Sequence, residues 1–241
     1  VNVNRSWKRF LAIGCSHGHL ADPKALKTVL DFQERWKPHT SIHLGDYVDT
    51  AAFRTGAKGT KDETVSLESD LHAGVEFLKL YQPSIVLNGN HDIRLWGAQK
   101  AANAIVAECA RRLVEDIKNA LPKNCQFVET YDIRKSYVTL GDTKFLHGFM
   151  YSENAVRDHA EQFGKCVIAH LHKVVSVPGR RNDRARGYCV GYLGDEDKFG
   201  YALNRRATSQ WSQGFAYGEY SDRECVVWLV ERGTDGWRLP L

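Results

Sequence analysis

The sequence predicts an α/β fold of two stacked β-sheets flanked by helices, and three observations lead there. Between residues 10 and 88, short apolar runs alternate with helical patterns: Phe10-Leu11-Ala12-Ile13, then Ser41-Ile42-His43-Leu44, then Ser84-Ile85-Val86-Leu87. Strands joined by helices in that order form a parallel sheet. After Pro122 the pattern changes to strand-like runs separated by Gly and Asp turns, which calls for a second sheet. Finally, each early strand runs into a polar turn: Gly14-Cys15-Ser16-His17-Gly18, Gly45-Asp46-Tyr47-Val48-Asp49 and Asn88-Gly89-Asn90-His91-Asp92. Open α/β sheets bind ligands at that carboxyl edge.

The 241 residues suit a single domain, 1–241, large enough to bury a full core without staples. A net charge of +4 favours anionic partners only mildly. No apolar run approaches the length of a membrane span, and Leu11-Ala12-Ile13 is too short for the core of a signal peptide. The six cysteines (15, 109, 125, 166, 189 and 225) are not closely paired and fall within apolar patterns, so they read as reduced thiols. A cytoplasmic protein with no membrane partner is therefore expected.

In order along the chain, strand 10–13 leads to a helix from Asp22 to Trp36 with Leu26, Val29 and Leu30 on its buried face, then to strand 41–44. Residues 51–63, rich in Thr, Gly and basic residues, read as an exposed loop. A second helix covers about Val65 to Leu80 and precedes strand 84–88. Residues 98–121 carry the clearest helical periodicity, with Ala102, Ile105, Val106, Cys109, Leu113, Ile117 and Ala120 at spacings of three and four. Ser136–Leu140 and Lys144–His147 form a hairpin around Gly141-Asp142, and a helix from Glu153 to Phe163 leads to strand Cys166–Ala169. The stretch 174–241 is strand-rich and aromatic.

The chemistry lies at the strand ends. Imidazole, thiolate and carboxylate are the usual ligands of first-row transition metals, and Cys15, His17, Asp46, Asn90, His147, His170 and His172 supply that set. His170 and His172, two apart on a strand, would share a face, and a kink at the strand end would split them between two ions. His91 directly follows Asn90 and suits a general acid. Taken singly, the plainer readings win: a turn for Gly-Asn-His-Asp, ordinary strand histidines at 170 and 172, a buried core thiol at Cys15. The set together points to a metal site.

Taken in order, Gly-Cys-Ser-His-Gly, Gly-Asp-Tyr-Val-Asp, Gly-Asn-His-Asp, Leu-His-Gly and Ala-His-Leu-His resemble the motifs of the calcineurin-like metallophosphoesterases, over residues 10–172. The resemblance implies a β-sandwich of two mixed sheets flanked by helices, with 174–241 completing the second sheet. It also implies two divalent transition metal ions (Mn, Fe or Zn). Cys15, His17, Asp46 and His172 would hold the first ion, and Asp46, Asn90, His147 and His170 the second, with Asp46 bridging. His91 would be the catalytic histidine, oriented by Asp49. The implied activity is that of a phosphodiesterase acting on nucleic acid or nucleotides through a metal-bound hydroxide. A phosphomonoesterase acting on a phosphoprotein or small phosphate is the alternative, as is a non-catalytic binding scaffold.

Three departures qualify the likeness. Cys15 stands where the family has Asp, a softer ligand of the same charge that favours Zn or Fe; lariat-debranching enzymes show a similar Gly-Cys-x-His-Gly. Thr50 replaces the phosphate-gripping arginine of the protein phosphatases, leaving Arg54 as the nearest substitute. Ala169 replaces the usual glycine. Further on, Arg180, Arg181, Arg184 and Arg186 read either as a solvated hairpin tip or as a phosphate-tracking patch. In the second case Arg205, Arg206, Trp211, Phe215 and Tyr217 would join it, basic and aromatic together as in single-strand binders.

Overall fold

The computed structural model describes residues 6–180, 185–200 and 206–240. The first half contains β1 (Lys8–Ile13), α1 (Pro23–Trp36), β2 (Thr40–His43), α2 (Leu67–Tyr81), β3 (Ile85–Leu87), α3 (Asp92–Ala98), α4 (Ala104–Ala120) and β4 (Gln126–Val128). The second half contains β5 (Tyr137–Leu140), β6 (Thr143–Leu146), α5 (Ala155–Phe163), β7 (Cys166–Ile168), β8 (Val174–Pro178), β9 (Arg186–Val190), β10 (Gly214–Tyr220), β11 (Cys225–Gly233) and β12 (Gly236–Trp237).

Two mixed sheets result, in the orders β12-β11-β10-β1-β2-β3-β4 and β5-β6-β7-β9-β8. The strands β1 to β4 are mutually parallel, and β7 lies parallel to both β6 and β9. Strand β1 shows why its sequence reads as one apolar run. Side chains alternate across a strand, so Phe10 and Ala12 meet Ile42, Leu44, Leu87, Phe145 and Val167 between the sheets. Leu11 and Ile13 point the other way, onto Val29, Phe32 and Trp36 of α1. A parallel strand covered on both faces must be apolar throughout. Helix α5 covers the second sheet, packing Val156 and Phe163 on Leu146, Cys166, Ile168 and Cys189.

The helix ends follow local chemistry. Asp22 caps α1 by accepting from the Lys24 amide at 2.8 Å, with Pro23 in the first turn, and Lys37 closes it in the left-handed conformation. All six cysteines are free. Among the described residues no helix is long and apolar enough to cross a membrane.

Two expectations need correction, and one element was not expected. Residues 174–241 were expected to complete the second sheet, but only β8 and β9 do; β10, β11 and β12 extend the first, with β10 antiparallel to β1. The reason is aromatic: Phe215 and Tyr217 of β10 pack under α1 against Phe32, and Tyr217 also meets Trp36. The long helix expected over 98–121 begins at Ala104, because the Asn103 side chain accepts from the Ile105 and Val106 amides and starts a new helix there. Ile105 and Cys109 are accordingly exposed, and the buried face is Ala107, Ala110, Val114, Ile117 and Ala120. Helix α3, which carries the chain away from His91, has no counterpart among the expected elements.

Candidate metal centre

Strands β1, β2 and β3 of one sheet and β6 and β7 of the other end at a common edge, and every expected donor lies just beyond one of those ends. The backbone there is unusual. Cys15 (φ 53°), His17 (52°), Asp46 (54°), His170 (63°) and His172 (56°) all adopt the left-handed conformation. For a residue with a Cβ this costs about 1–2 kcal/mol, and such strain persists where surroundings over-determine it, commonly at functional sites. It also decides the fate of the histidine pair. The strand has already ended at Ile168, and the positive φ values send the two rings to different partners. His170 Nδ1 lies 2.8 Å from Asn90 Oδ1, whereas His172 Nε2 lies 3.0 Å from His17 Nε2.

The donors fall into two overlapping groups. The ligand atoms of Cys15, His17 and His172 lie within 4.8 Å of one another, as do those of Cys15, Asp46 and His147. His147 Nε2 sits 3.1 Å from Asp46 Oδ2 and 3.0 Å from Asn90 Oδ1. Behind them stand groups that fix each ring. His17 Nδ1 is 3.0 Å from Asp49 Oδ1, and His147 Nδ1 is 2.9 Å from the Leu44 carbonyl, so both rings turn Nε2 into the centre.

The residues present fit a divalent transition metal. Two imidazole nitrogens face each other, and His172 Nδ1 is buried without a hydrogen-bond partner among the described residues, an orphan of the kind that calls for an explanation. Burial and the adjacent Asp46 carboxylate push the Cys15 thiol well above its ordinary pKa, so a thiolate at this depth needs a neighbouring cation. Burial, then His147, holds His170 down to about 3, and burial, then His17, holds His172 well below its usual range; neutral imidazole is the ligating form. Burial opposes ionisation of Asp46, yet His147 and His91 hold it well below the usual carboxylate range.

His91 stands at the rim, its Nδ1 2.8 Å from Asp49 Oδ1 and 2.9 Å from the Asp49 carbonyl. Burial pulls its pKa down but Asp46 and Asp49 raise it further, and the net direction is up. Asp49 therefore serves two rings at once, His17 and His91. Hydrogen bonds from both hold its carboxyl far below the ordinary range despite burial.

Two further carboxylates complete the scaffold. Asp92 closes the Gly-Asn-His-Asp turn by accepting from the amides of Asp46 (2.6 Å), Gly89 (2.7 Å) and Val48 (3.2 Å). Its signal was present as the last residue of that motif. Asp70, buried on α2, accepts from the amides of Asp49 and Thr50 and lies 3.1 Å from His19 Nδ1. No sequence signal marks it, since it looks like any polar residue of an amphipathic helix. Close approach also explains Gly89: a Cβ there would lie 2.2 Å from Asp46 Oδ1.

The basic residues are placed differently. Arg54 is engaged with Asp62, Nε to Oδ2 at 2.8 Å. Arg181, Arg184 and Arg205 lie outside the described residues, as does the side chain of Arg206. Arg180 pairs with Glu161 at 3.9 Å and Arg186 donates to Ser176 Oγ at 2.8 Å. Because β9 runs parallel to β7, Arg186 sits at the end of the second sheet opposite the donors that follow β7. Of the aromatics expected beside this patch, Phe215 is buried in the core, and Trp211 instead packs against His172 with ring centroids 4.4 Å apart.

Two sheets that deliver imidazole, thiolate and carboxylate to one edge define a metal-binding α/β sandwich. A profile of the calcineurin-like phosphoesterases matches residues 8–206, and the chain belongs to that family. No curated protein matches it in sequence. Among solved structures it is similar in fold to a point mutant of Vps29 from Entamoeba histolytica, at 12% identity and a TM-score of 0.50 over 95% of this chain and 96% of that one. An archaeal phosphodiesterase (14% identity, TM-score 0.46, 92% and 99%) and YfcE, a phosphoesterase from E. coli (13%, 0.40, 90% and 96%), are also similar.

Proposed function

We propose that the protein is a metal-dependent phosphoesterase that cleaves phosphodiesters, with nucleic acid or a nucleotide as substrate. The observation that carries this reading is the convergence of seven donors from two sheets beside a histidine fixed on a carboxylate. Cys15, His17, Asp46 and His172 would hold one ion and Asp46, Asn90, His147 and His170 a second, with Asp46 shared. Such ions neutralise charge on phosphoryl oxygens and make water a nucleophile at neutral pH.

The chain's own groups do the rest. Asp49 accepts a hydrogen bond from His91 Nδ1–H, leaving Nε2, which has no hydrogen-bond partner among the described residues, free to serve a leaving group. Protonated His91 passes a proton from Nε2 to the departing ester oxygen, and the ring then regains one from water. Asp49 also holds the His17 tautomer that presents Nε2 to the centre. The experiment is hydrolysis of bis- and mono-(p-nitrophenyl) phosphate by protein stripped and reloaded with Zn, Fe(II) or Mn, beside metal analysis. Faster hydrolysis of the diester supports the reading, and preference for the monoester makes the enzyme a phosphomonoesterase. Full metal content with no turnover on either ester would leave a binding scaffold.

A further inference from the structure

We propose that Arg94 is the residue that grips the substrate's phosphate, an inference that rests on the phosphoesterase reading above. Among the described residues the other candidates are occupied or remote. Thr50 stands directly after Gly-Asp-Tyr-Val-Asp, and its hydroxyl donates to the His91 carbonyl at 2.7 Å. The Arg54 fork is taken by Asp62, and Arg180 and Arg186 lie at the far end of their sheet.

Arg94 sits on α3, three residues beyond His91, and is half-buried. Its Nη1 donates to the Asp49 carbonyl at 3.1 Å and lies 3.2 Å from His91 Nδ1. That tether holds the guanidinium within one imidazole ring of the nitrogen that faces the leaving group. Among the described residues Nε and Nη2 have no hydrogen-bond partner, and no carboxylate oxygen is paired with this charge. A guanidinium anchored through one nitrogen, with the other two unspent, is suited to two parallel bonds to a phosphate. The local charge balance calls for it. The buried Asp46 and Asp49 carboxylates lie at the same turns, and a cation beside them offsets negative charge that would oppose an incoming phosphate.

The test uses wild-type protein and the variants Arg94→Gln and Arg94→Lys, each metal-loaded, with inorganic phosphate as the probe in titration calorimetry. Metal content, melting temperature, and kcat and KM on bis-(p-nitrophenyl) phosphate are measured alongside. Arg94→Gln should bind phosphate about ten- to hundredfold more weakly and raise KM to match, with metal content unchanged. Arg94→Lys, which keeps the charge but not the fork, should recover part of the affinity. Equal phosphate affinity in wild type and Arg94→Gln overturns the proposal, as does wild-type protein that binds no phosphate. A fall in kcat alone would also overturn it, leaving Arg94 a mere support for Asp49. If Arg94→Gln fails to fold, unchanged affinity in Arg94→Lys decides against the proposal, and a several-fold loss decides for it. Wild-type protein that binds phosphate in an Arg94-dependent way but hydrolyses neither ester would uphold the grip and sink the enzyme reading.

Discussion

Asp49 illustrates how one side chain can link binding and chemistry. The Asp49 carboxylate accepts from both His17 and His91 at one oxygen, Oδ1; an amide oxygen in its place lacks the charge that strengthens both bonds. Asp49→Asn should therefore lower metal affinity and turnover together, each by about 10- to 100-fold, read by metal analysis and by steady-state kinetics. A loss of turnover with metal affinity intact would confine Asp49 to His91. Cys15→Asp keeps the charge and restores the usual family ligand. Because a thiolate favours Zn or Fe(II) and a carboxylate suits Mn and Mg, the variant should shift activity toward Mn and Mg after reconstitution. Identical metal rankings in the two proteins would remove Cys15 from the ligand set. At this scale the donors were legible, since each sits in a short motif. The second duty of Asp49 was not, because it joins residues 32 positions apart.

Elements place those residues, and α2 does so through Asp70. Its carboxylate is the partner of the Asp49 and Thr50 amides, deep beneath the Gly-Asp-Tyr-Val-Asp turn. Removing it leaves two buried donors unsatisfied, at about 1–3 kcal/mol each. Asp70→Ala should lower stability by about 2–5 kcal/mol in urea unfolding, while the exposed neighbour change Glu68→Ala should stay within about 0.5 kcal/mol. Similar midpoints for the two variants would mean the turn holds itself. Periodicity found α1, α2 and α5 because each has one apolar stripe. It ran α4 too far back because apolar residues continue past Asn103, and the cap, not the stripe, starts the helix. Helix α3 spans only Asp92–Ala98, too short for a stripe to register.

For the whole molecule, burial of neutral histidines sets how stability responds to acid. His43, outside the donor set, lies 3.1 Å from Ser16 Oγ and is held down to about 3 by burial and by His147. His159 accepts from the Phe149 amide at 2.8 Å, and burial lowers its pKa too. Both take up protons less readily in the fold than in the unfolded chain, which protonates below about pH 6.5. Their stabilising effect is thus complete above that pH and fades as pH falls below it, by up to about 1.4 kcal/mol per unit for His43. Urea unfolding between pH 7 and 5 should show a shallower decline for His159→Gln than for wild type. Parallel curves would mean that His159 is already charged in the fold. A second sheet was legible from the switch in periodicity after Pro122. The return of β10 to the first sheet was not, because partner choice depends on contacts with α1 that no local pattern encodes.

The left-handed turns under the donors make folding and ion binding antagonists. Cys15, His17, Asp46, His170 and His172 each hold a backbone shape that glycine or asparagine would adopt more readily. A chain judged on folding alone would discard them. His170, partly exposed, offers the cleanest case. His170→Asn should raise the melting temperature of metal-free protein by a few degrees while reducing, through the weakened second ion, the gain that added Zn gives wild type. The ion then behaves as a missing keystone: an arch whose stones lean inward is weaker than a plain wall until the last piece is set.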